Sequence, residues 1–430
     1  MSCPFTDHQS TLNPSPEPFT RDGSGAVELF GPNYLQDPYQ VFKRLNEVGA
    51  IHRVRFPSGV HAWLVTGAAA AEDLLHHPDI RKNHEFGNAK WRAKASIMPE
   101  PQHTRLQSHL LHQDAAVHAG MRRLIVPAFS AKAANAMTSR IQAIADQLID
   151  SLPARGSVDL ITDFMAAFPF RVLADAIGLP PILAEKFDHS WGKVVRPVGP
   201  DDPWRPEYER LLRELENYIA LIIEECGKPA QTGLLSELVL ANKKAAGLSD
   251  AQLSSLIFQV LVAGQEPVTH QLSTSLLALL ANPEAMAAFC AEPDRREDFI
   301  DALIKYDGAF ALATWRFFAV DTKFYGQLVP AGDSVIVALN AANRDEIYGD
   351  QLDLSGNARN HFGFGGGPHY CPGSMLARRE LAIGLGTLID RLAGLELDHA
   401  ALDDGGLSWV AAVLNRGLVS LPVRYQEVLA

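Results

Sequence analysis

Apolar residues recur with a helical period along most of the chain. From Tyr208 to Cys226, the positions Leu211, Leu212, Leu215, Tyr218, Ile219 and Ile222 fall three and four apart, which gathers them on one helix face. A shorter amphipathic helix is expected at Tyr39 to Glu47, and an Ala-rich one free of Gly and Pro at Ala131 to Leu152. Ser249 with Gln252 fits a capping box, opening a pattern that runs through Leu256 and Val260 to Leu280. About 30 residues at roughly 1.5 Å each would cross a whole domain, and apolar side chains on every face mark this helix as buried. Ile51 to Phe56 and Val60 to Val65 flank Pro57-Ser58-Gly59 as a hairpin would, and Tyr325 to Leu339 forms a second strand-like patch around Pro330-Ala331-Gly332. No repeat or interdomain linker interrupts the pattern. The expectation is a mainly α fold with a small β portion, a single domain over 27–430, preceded by a polar, Pro-rich tail over 1–26.

Composition narrows the function classes. The 430 residues are 47% hydrophobic and 20% charged, a globular balance that leaves no case for a disordered or fibrous chain. A net charge of −12 without a basic stretch argues against nucleic acid as a partner. Four cysteines, none spaced as a zinc pair, exclude a disulfide scaffold. No apolar run reaches the roughly 18 residues of a membrane span, and Met1 to Ala26 has no apolar signal core. A soluble, cytoplasmic monomer is expected.

The chemistry concentrates near the C-terminus, at Phe364-Gly365-Gly366-Gly367-Pro368-His369-Tyr370-Cys371-Pro372-Gly373, ahead of an apolar helix from Ser374 to Leu392. Glycines and prolines around one cysteine shape an arch that holds sulfur near a helix N-terminus, where partial positive charge favours thiolate. Gly also lets a flat ligand approach the backbone, and such a thiolate suits ligation of haem iron. The string matches F-G-x-G-x-H-x-C-x-G at every fixed position and resembles the haem-thiolate signature of the cytochrome P-450 family. The resemblance extends from near Leu35 to Arg424, in the order of a soluble bacterial member.

That resemblance implies a cytochrome P-450 fold holding haem b (iron protoporphyrin IX), with Cys371 as proximal metal ligand and Phe364, Gly365 and Gly373 shaping its loop. Asp114 to Phe129 resembles the helix whose His and Arg meet haem propionates; His118 and Arg122, at i and i+4, share one face. Ala313-Thr314-Trp315-Arg316 resembles the segment whose Arg does the same, and His369 is the fourth such candidate. Ala263-Gly264-Gln265-Glu266 resembles the oxygen-binding turn of the family's long central helix.

Three departures bear on mechanism. The family's Thr or Ser after the acid of that turn, part of a proton-relaying pair, is Pro267 here; proline has no hydroxyl and removes the bond to the Ala263 carbonyl. Thr269 is a poor substitute, because two residues rotate roughly 200° around a helix. The family's E-x-x-R pair becomes Ala302 and Lys305, and its third partner becomes Gln351 in a shortened segment. Loss of the whole set reads as a substituted network, with Lys305 able to pair with Asp301 at i−4. Pro372, directly after the cysteine, removes one N–H that would otherwise donate to sulfur and so leaves it more electron-rich.

Pocket candidates by resemblance are the loop Lys82 to His112 with Phe86, Trp91 and Met98, then Val260, Ala263, Phe310 to Leu312, Val413 and Leu414. All are apolar or small, implying a hydrophobic or carrier-bound small-molecule substrate. Arg122, Arg123, Arg378 and Arg379 would cluster on the sulfur side, suiting ferredoxin as an acidic electron donor, itself served by ferredoxin reductase. The implied activity is that of an oxidoreductase of secondary metabolism, a monooxygenase that hydroxylates or oxidatively cyclises or couples its substrate, with Ala263, Gly264, Glu266 and Pro267 on the oxygen side. Two alternatives stay open: a peroxide-driven peroxygenase, and a haem-binding scaffold or recruitment protein that has lost catalysis.

Overall fold

A computed structural model describes residues 18–30, 32–95, 102–195, 198, 201–243, 248–345, 351–355, 358, 360–402 and 406–429. Helices dominate, as the periodicity predicts. Arg205–Cys226 buries Leu211, Leu212, Leu215, Tyr218, Ile219 and Ile222 on its inner face, the residues whose spacing announced it. The hairpin forms as well: Ile51–Arg55 runs antiparallel to His61–Val65, with Val54 opposite Ala62. These two strands sit in a seven-stranded mixed sheet whose further members are Thr20–Arg21, Val27–Glu28, Ser334–Val337, Arg316–Phe318 and Ile80–Arg81. One face packs on Phe42, Leu45 and Phe317, the other on Leu74, Leu75 and Phe318. The largest core lies among the helices and gathers Phe164, Phe168, Leu256, Leu272 and Leu385.

Three expectations change. Residues 18–26 are not simply tail, since Thr20–Arg21 pairs with Val27–Glu28, Ala26 is buried and Asp22 accepts a bond from the ring of His61; residues 1–17 lie outside the described residues. The Ala-rich stretch is two helices, Ala131–Ala136 and Thr138–Asp150, meeting at Met137, whose N–H is shared among three carbonyls. The central helix is also two: Asp250–Ala263, opened by the expected Ser249–Gln252 capping box, and Glu266–Leu280. The break falls where Pro267 has no N–H for the Ala263 carbonyl, so the helical ladder cannot close across it. Gly264 makes the crossing possible: a Cβ there would lie 2.7 Å from Leu173 Cδ1 and 2.8 Å from the Val260 oxygen.

The charge network absent from its usual places is rebuilt with different partners. On the helix Arg296–Tyr306, Asp301 is buried and accepts from His361 Nε2 (3.0 Å) and Arg378 Nε (2.7 Å). Lys305 is not among these partners of Asp301, and it feels the charge of Asp353 instead. Burial raises the Asp301 carboxyl, but His361 and Arg378 outweigh it and hold the group below its ordinary range. Because His361 precedes the cysteine loop and Arg378 follows it, this carboxylate pins both of the loop's ends.

Candidate functional site

The cysteine loop is an arch closed by its own backbone. Cys371 N–H donates to the Phe364 carbonyl (2.9 Å), Gly365 N–H to Phe362 (2.7 Å) and Tyr370 N–H to Gly367 (3.1 Å). Gly367 has φ +63°, and a Cβ there would meet the Leu75 carbonyl oxygen at 2.2 Å, so glycine is required on both counts. The guanidinium of Arg378 lies 4.5 Å above the Phe364 ring and braces the arch from behind. The thiol of Cys371 lies just before the helix Ser374–Arg391, whose N-cap is Gly373. Burial pushes the thiol up, outweighing the Gly373 N–H, Arg122 and Arg378, which pull it down. A coordinated cation would add to these, since coordination deprotonates a thiol outright.

Beside the arch stands a group of buried nitrogens, three of them with no acceptor to meet. His118 and Arg122 come from the helix Ala115–Ile125, Arg316 from the strand Arg316–Phe318, and His369 from the arch itself. The rings of His118 and His369 are 4.1 Å apart. His118 Nε2, Arg122 Nη1 and His369 Nδ1 are buried without a hydrogen-bond partner. Arg316 is 4% exposed, and its Nη1 reaches only the Thr314 carbonyl (2.8 Å). Burial, then the charges of Lys82 and the neighbouring arginines, drive His369 down to about 2. Lys82, absent from the sequence reading except as the first residue of a loop, is buried here too. Its ammonium donates to Thr314 Oγ1 (2.6 Å) and the Trp315 carbonyl (2.5 Å), while its backbone N–H is taken by Asp114 (2.8 Å). A lysine between Arg81 and Asn83 carries no signal of burial; only the packing of the sheet edge against the helix 115–125 creates it.

At the break in the central helix, Ala263 is exposed and Glu266 half-buried. Thr269 turns away, its hydroxyl donating to the Met165 carbonyl (2.9 Å). Glu266 Oε1 is 3.5 Å from Nε2 of His270, one turn on, whose ring packs on the Cα of Gly417.

A family model described as cytochrome P450 matches residues 310–398. Cytochrome P450 107B1 of Saccharopolyspora erythraea is 33% identical over 405 residues, covering 92% of this chain and 96% of that protein. The chain belongs to the cytochrome P450 family. The cytochrome P450 monooxygenase PikC of Streptomyces venezuelae is 30% identical over 92% of this chain and 93% of its own length. Among solved structures, the myxobacterial cytochrome P450 CYP267B1 in complex with myristic acid superposes with a TM-score of 0.87 at 30% identity, covering 92% of this chain and 98% of that one. Members of this family are enzymes that bind haem iron through a cysteine thiolate.

The residues present fit that group. A haem brings two carboxylates, and His118, Arg122 and His369 each keep a buried nitrogen without an acceptor next to the thiol, with Arg316, bound only to the Thr314 carbonyl, beside them. Two further expectations for this cytochrome P450 are revised. Of the four arginines of the docking patch, Arg378 is bound to Asp301 and Arg379 to Glu297 and Asn135, leaving Arg123 exposed. The described part of the loop 82–112 is not an apolar wall: Phe86 is 42% exposed, Trp91 meets Phe317 edge to face, and His84, His109 and His112 crowd together. Met98 lies outside the described residues.

Proposed function

We propose that this cytochrome P450 is a haem-thiolate monooxygenase of bacterial secondary metabolism. In this reading Cys371 ligates the iron of haem b, His118, Arg122, Arg316 and His369 hold the propionates, and electrons arrive from a ferredoxin with its reductase. The observation that carries the reading is the cluster of unpartnered buried nitrogens beside a glycine-arched thiol. Relatives support the class of reaction: PikC is a monooxygenase, and a mycinamicin IV hydroxylase/epoxidase of Micromonospora griseorubida is 29% identical over 89% of this chain. The substrate proposed is a hydrophobic or carrier-bound intermediate, hydroxylated or closed into a ring.

When bound, the haem supplies oxygen activation and electron transfer. The chain's own part is to position and to manage protons. The arch fixes the Cys371 backbone through the Phe364 carbonyl, and the Gly373 N–H donates towards the sulfur. The break at Pro267 opens the central helix after Ala263, and Gly264 there leaves room for Leu173. Glu266 places a carboxyl group at the break, with the His270 ring 3.5 Å behind it. Pro267 offers no hydroxyl and Thr269 is engaged elsewhere, so the remaining donor must be a water or a hydroxyl of the substrate.

The test is the carbon monoxide difference spectrum of the reduced protein. A strongly red-shifted Soret band is expected, and its loss in Cys371→Ser. A neutral-ligand band in the parent protein, or a shifted band surviving in the variant, refutes the assignment.

A further inference from the structure

Lys82 is a buried cation that none of the roles assigned above uses. It is 1% exposed, and its ammonium donates only to neutral acceptors, Thr314 Oγ1 and the Trp315 carbonyl. Among the described residues no carboxylate stands within ion-pair distance of it. A lone buried ammonium is costly, so its surroundings have to hold it there. They do so at a cost of their own. Asp114 is the N-cap of the helix Ala115–Ile125, yet its side chain makes no cap bond to that helix. Its two carboxylate oxygens accept instead from the backbone N–H groups of Lys82 (2.8 Å) and Asn83 (2.9 Å). The next residue, Ala115, sits at φ +47°, a left-handed conformation that is strained for a residue with a Cβ. The helix that carries His118 and Arg122 thus forgoes its cap and takes on strain, and gains a grip on Lys82. Lys82 in turn grips the two residues leading into Arg316, whose Nη1 bonds the Thr314 carbonyl (2.8 Å).

The charges point the same way. Lys82, Arg122 and Arg316 all act on the ring of His369, and Asp114 is the carboxylate that acts on Lys82 and His118. Three cations against one carboxylate leave an excess of two positive charges, which is the number of carboxylates a haem brings. Without Lys82 the excess would be one. Burial first, then Arg316, push the Lys82 ammonium well below its ordinary value, and Asp114 pulls it back. Two further carboxylates nearby would act in the same direction as Asp114 and favour the charged form.

We propose that Lys82 is a positioning residue of the haem site: held by Asp114, it ties the strand of Arg316 to the helix of His118 and Arg122, and its charge balances the second haem carboxylate and favours the reduced haem. It stands outside the four propionate partners. It acts through Thr314, Trp315 and its charge, which in so buried a place is felt well beyond contact distance. The inference deepens the haem-thiolate reading and rests on it.

Redox titration of the haem-loaded full chain tests it, with Lys82→Met and Asp114→Asn. Removing the cation should shift the equilibrium about tenfold toward ferric haem, a potential lower by about 59 mV for one electron. Removing the anion should shift it the other way, toward ferrous haem, by about threefold or more. Both substitutions break the same line of contacts, so a merely structural role would move the two potentials in one direction or leave them alone. Either result overturns the proposal. Lys82→Met should also pass haem to an acceptor protein about fivefold faster than the parent, and transfer at the parental rate overturns it as well. Each potential carries its own sign, so the test stands on one variant if the other fails to fold. The parent's carbon monoxide band reports on Cys371 separately: a shifted band with unmoved potentials sinks this inference and leaves the haem-thiolate reading standing.

Discussion

Asp301→Asn tests the rebuilt charge network directly. The substitution keeps the side chain's shape and removes its charge. Asp301 and His361 are 2% and 1% exposed at the side chain and Arg378 15%, so no water replaces the lost carboxylate. Removing one member of a buried ion pair typically costs about 3–5 kcal/mol, and Asn keeps one oxygen acceptor, which places the expected loss near the lower end. Against a total stability of about 5–15 kcal/mol this is a large fraction. It should appear as a lower urea midpoint at unchanged slope in circular dichroism. The pH dependence has a fixed sign. Asp301 is held below its ordinary range in the folded protein, so its contribution is complete above the unfolded carboxylate value, about 4, and is lost as pH falls through the lower folded value. The gap between parent and variant should therefore be constant near neutrality and close below about pH 4. Lys305→Met is the control, expected to cost less than about 1 kcal/mol because Lys305 takes no part in this triad. A shift under about 1 kcal/mol for Asp301→Asn, with about 3 or more for Lys305→Met, would refute the network described here.

Further outcomes follow from single contacts. Gly367→Ala should destabilise the protein by more than about 2 kcal/mol and impair haem retention, since it combines positive φ with a carbonyl 2.2 Å from the new Cβ; wild-type melting and haem content would contradict this. His118→Leu should speed haem transfer to an acceptor protein while leaving the haem-free chain as stable or slightly more so, because it deletes an unpartnered buried nitrogen. A destabilised apoprotein with unchanged haem transfer would make His118 structural. Pro267→Thr restores an N–H and a hydroxyl at the helix break, and should raise the fraction of reductant recovered as product with a substrate lacking hydroxyls; unchanged coupling would mean that Pro267 only shapes the kink.

Local pattern determined much of this protein. Helical spacing located Arg205–Cys226, the alternation around Pro57-Ser58-Gly59 located the hairpin, and the glycine string around Cys371 located the arch, because each signal is written in neighbours along the chain. His118 and Arg122 were legible for the same reason, one turn apart on one helix. What tertiary structure decided is every partnership across long sequence separation. Asp301 joins His361 and Arg378, sixty and seventy-seven residues away, rather than Lys305 on its own helix. Lys82 is buried beside Arg316, and three histidines that look like ordinary loop residues meet as a polar wall. Burial of the Cys371 thiol, which pushes its pKa up, is likewise invisible in the sequence, which shows only the helix N-terminus. Spacing along a chain fixes which side chains share a face, whereas desolvation and charge pairing depend on what that face is packed against.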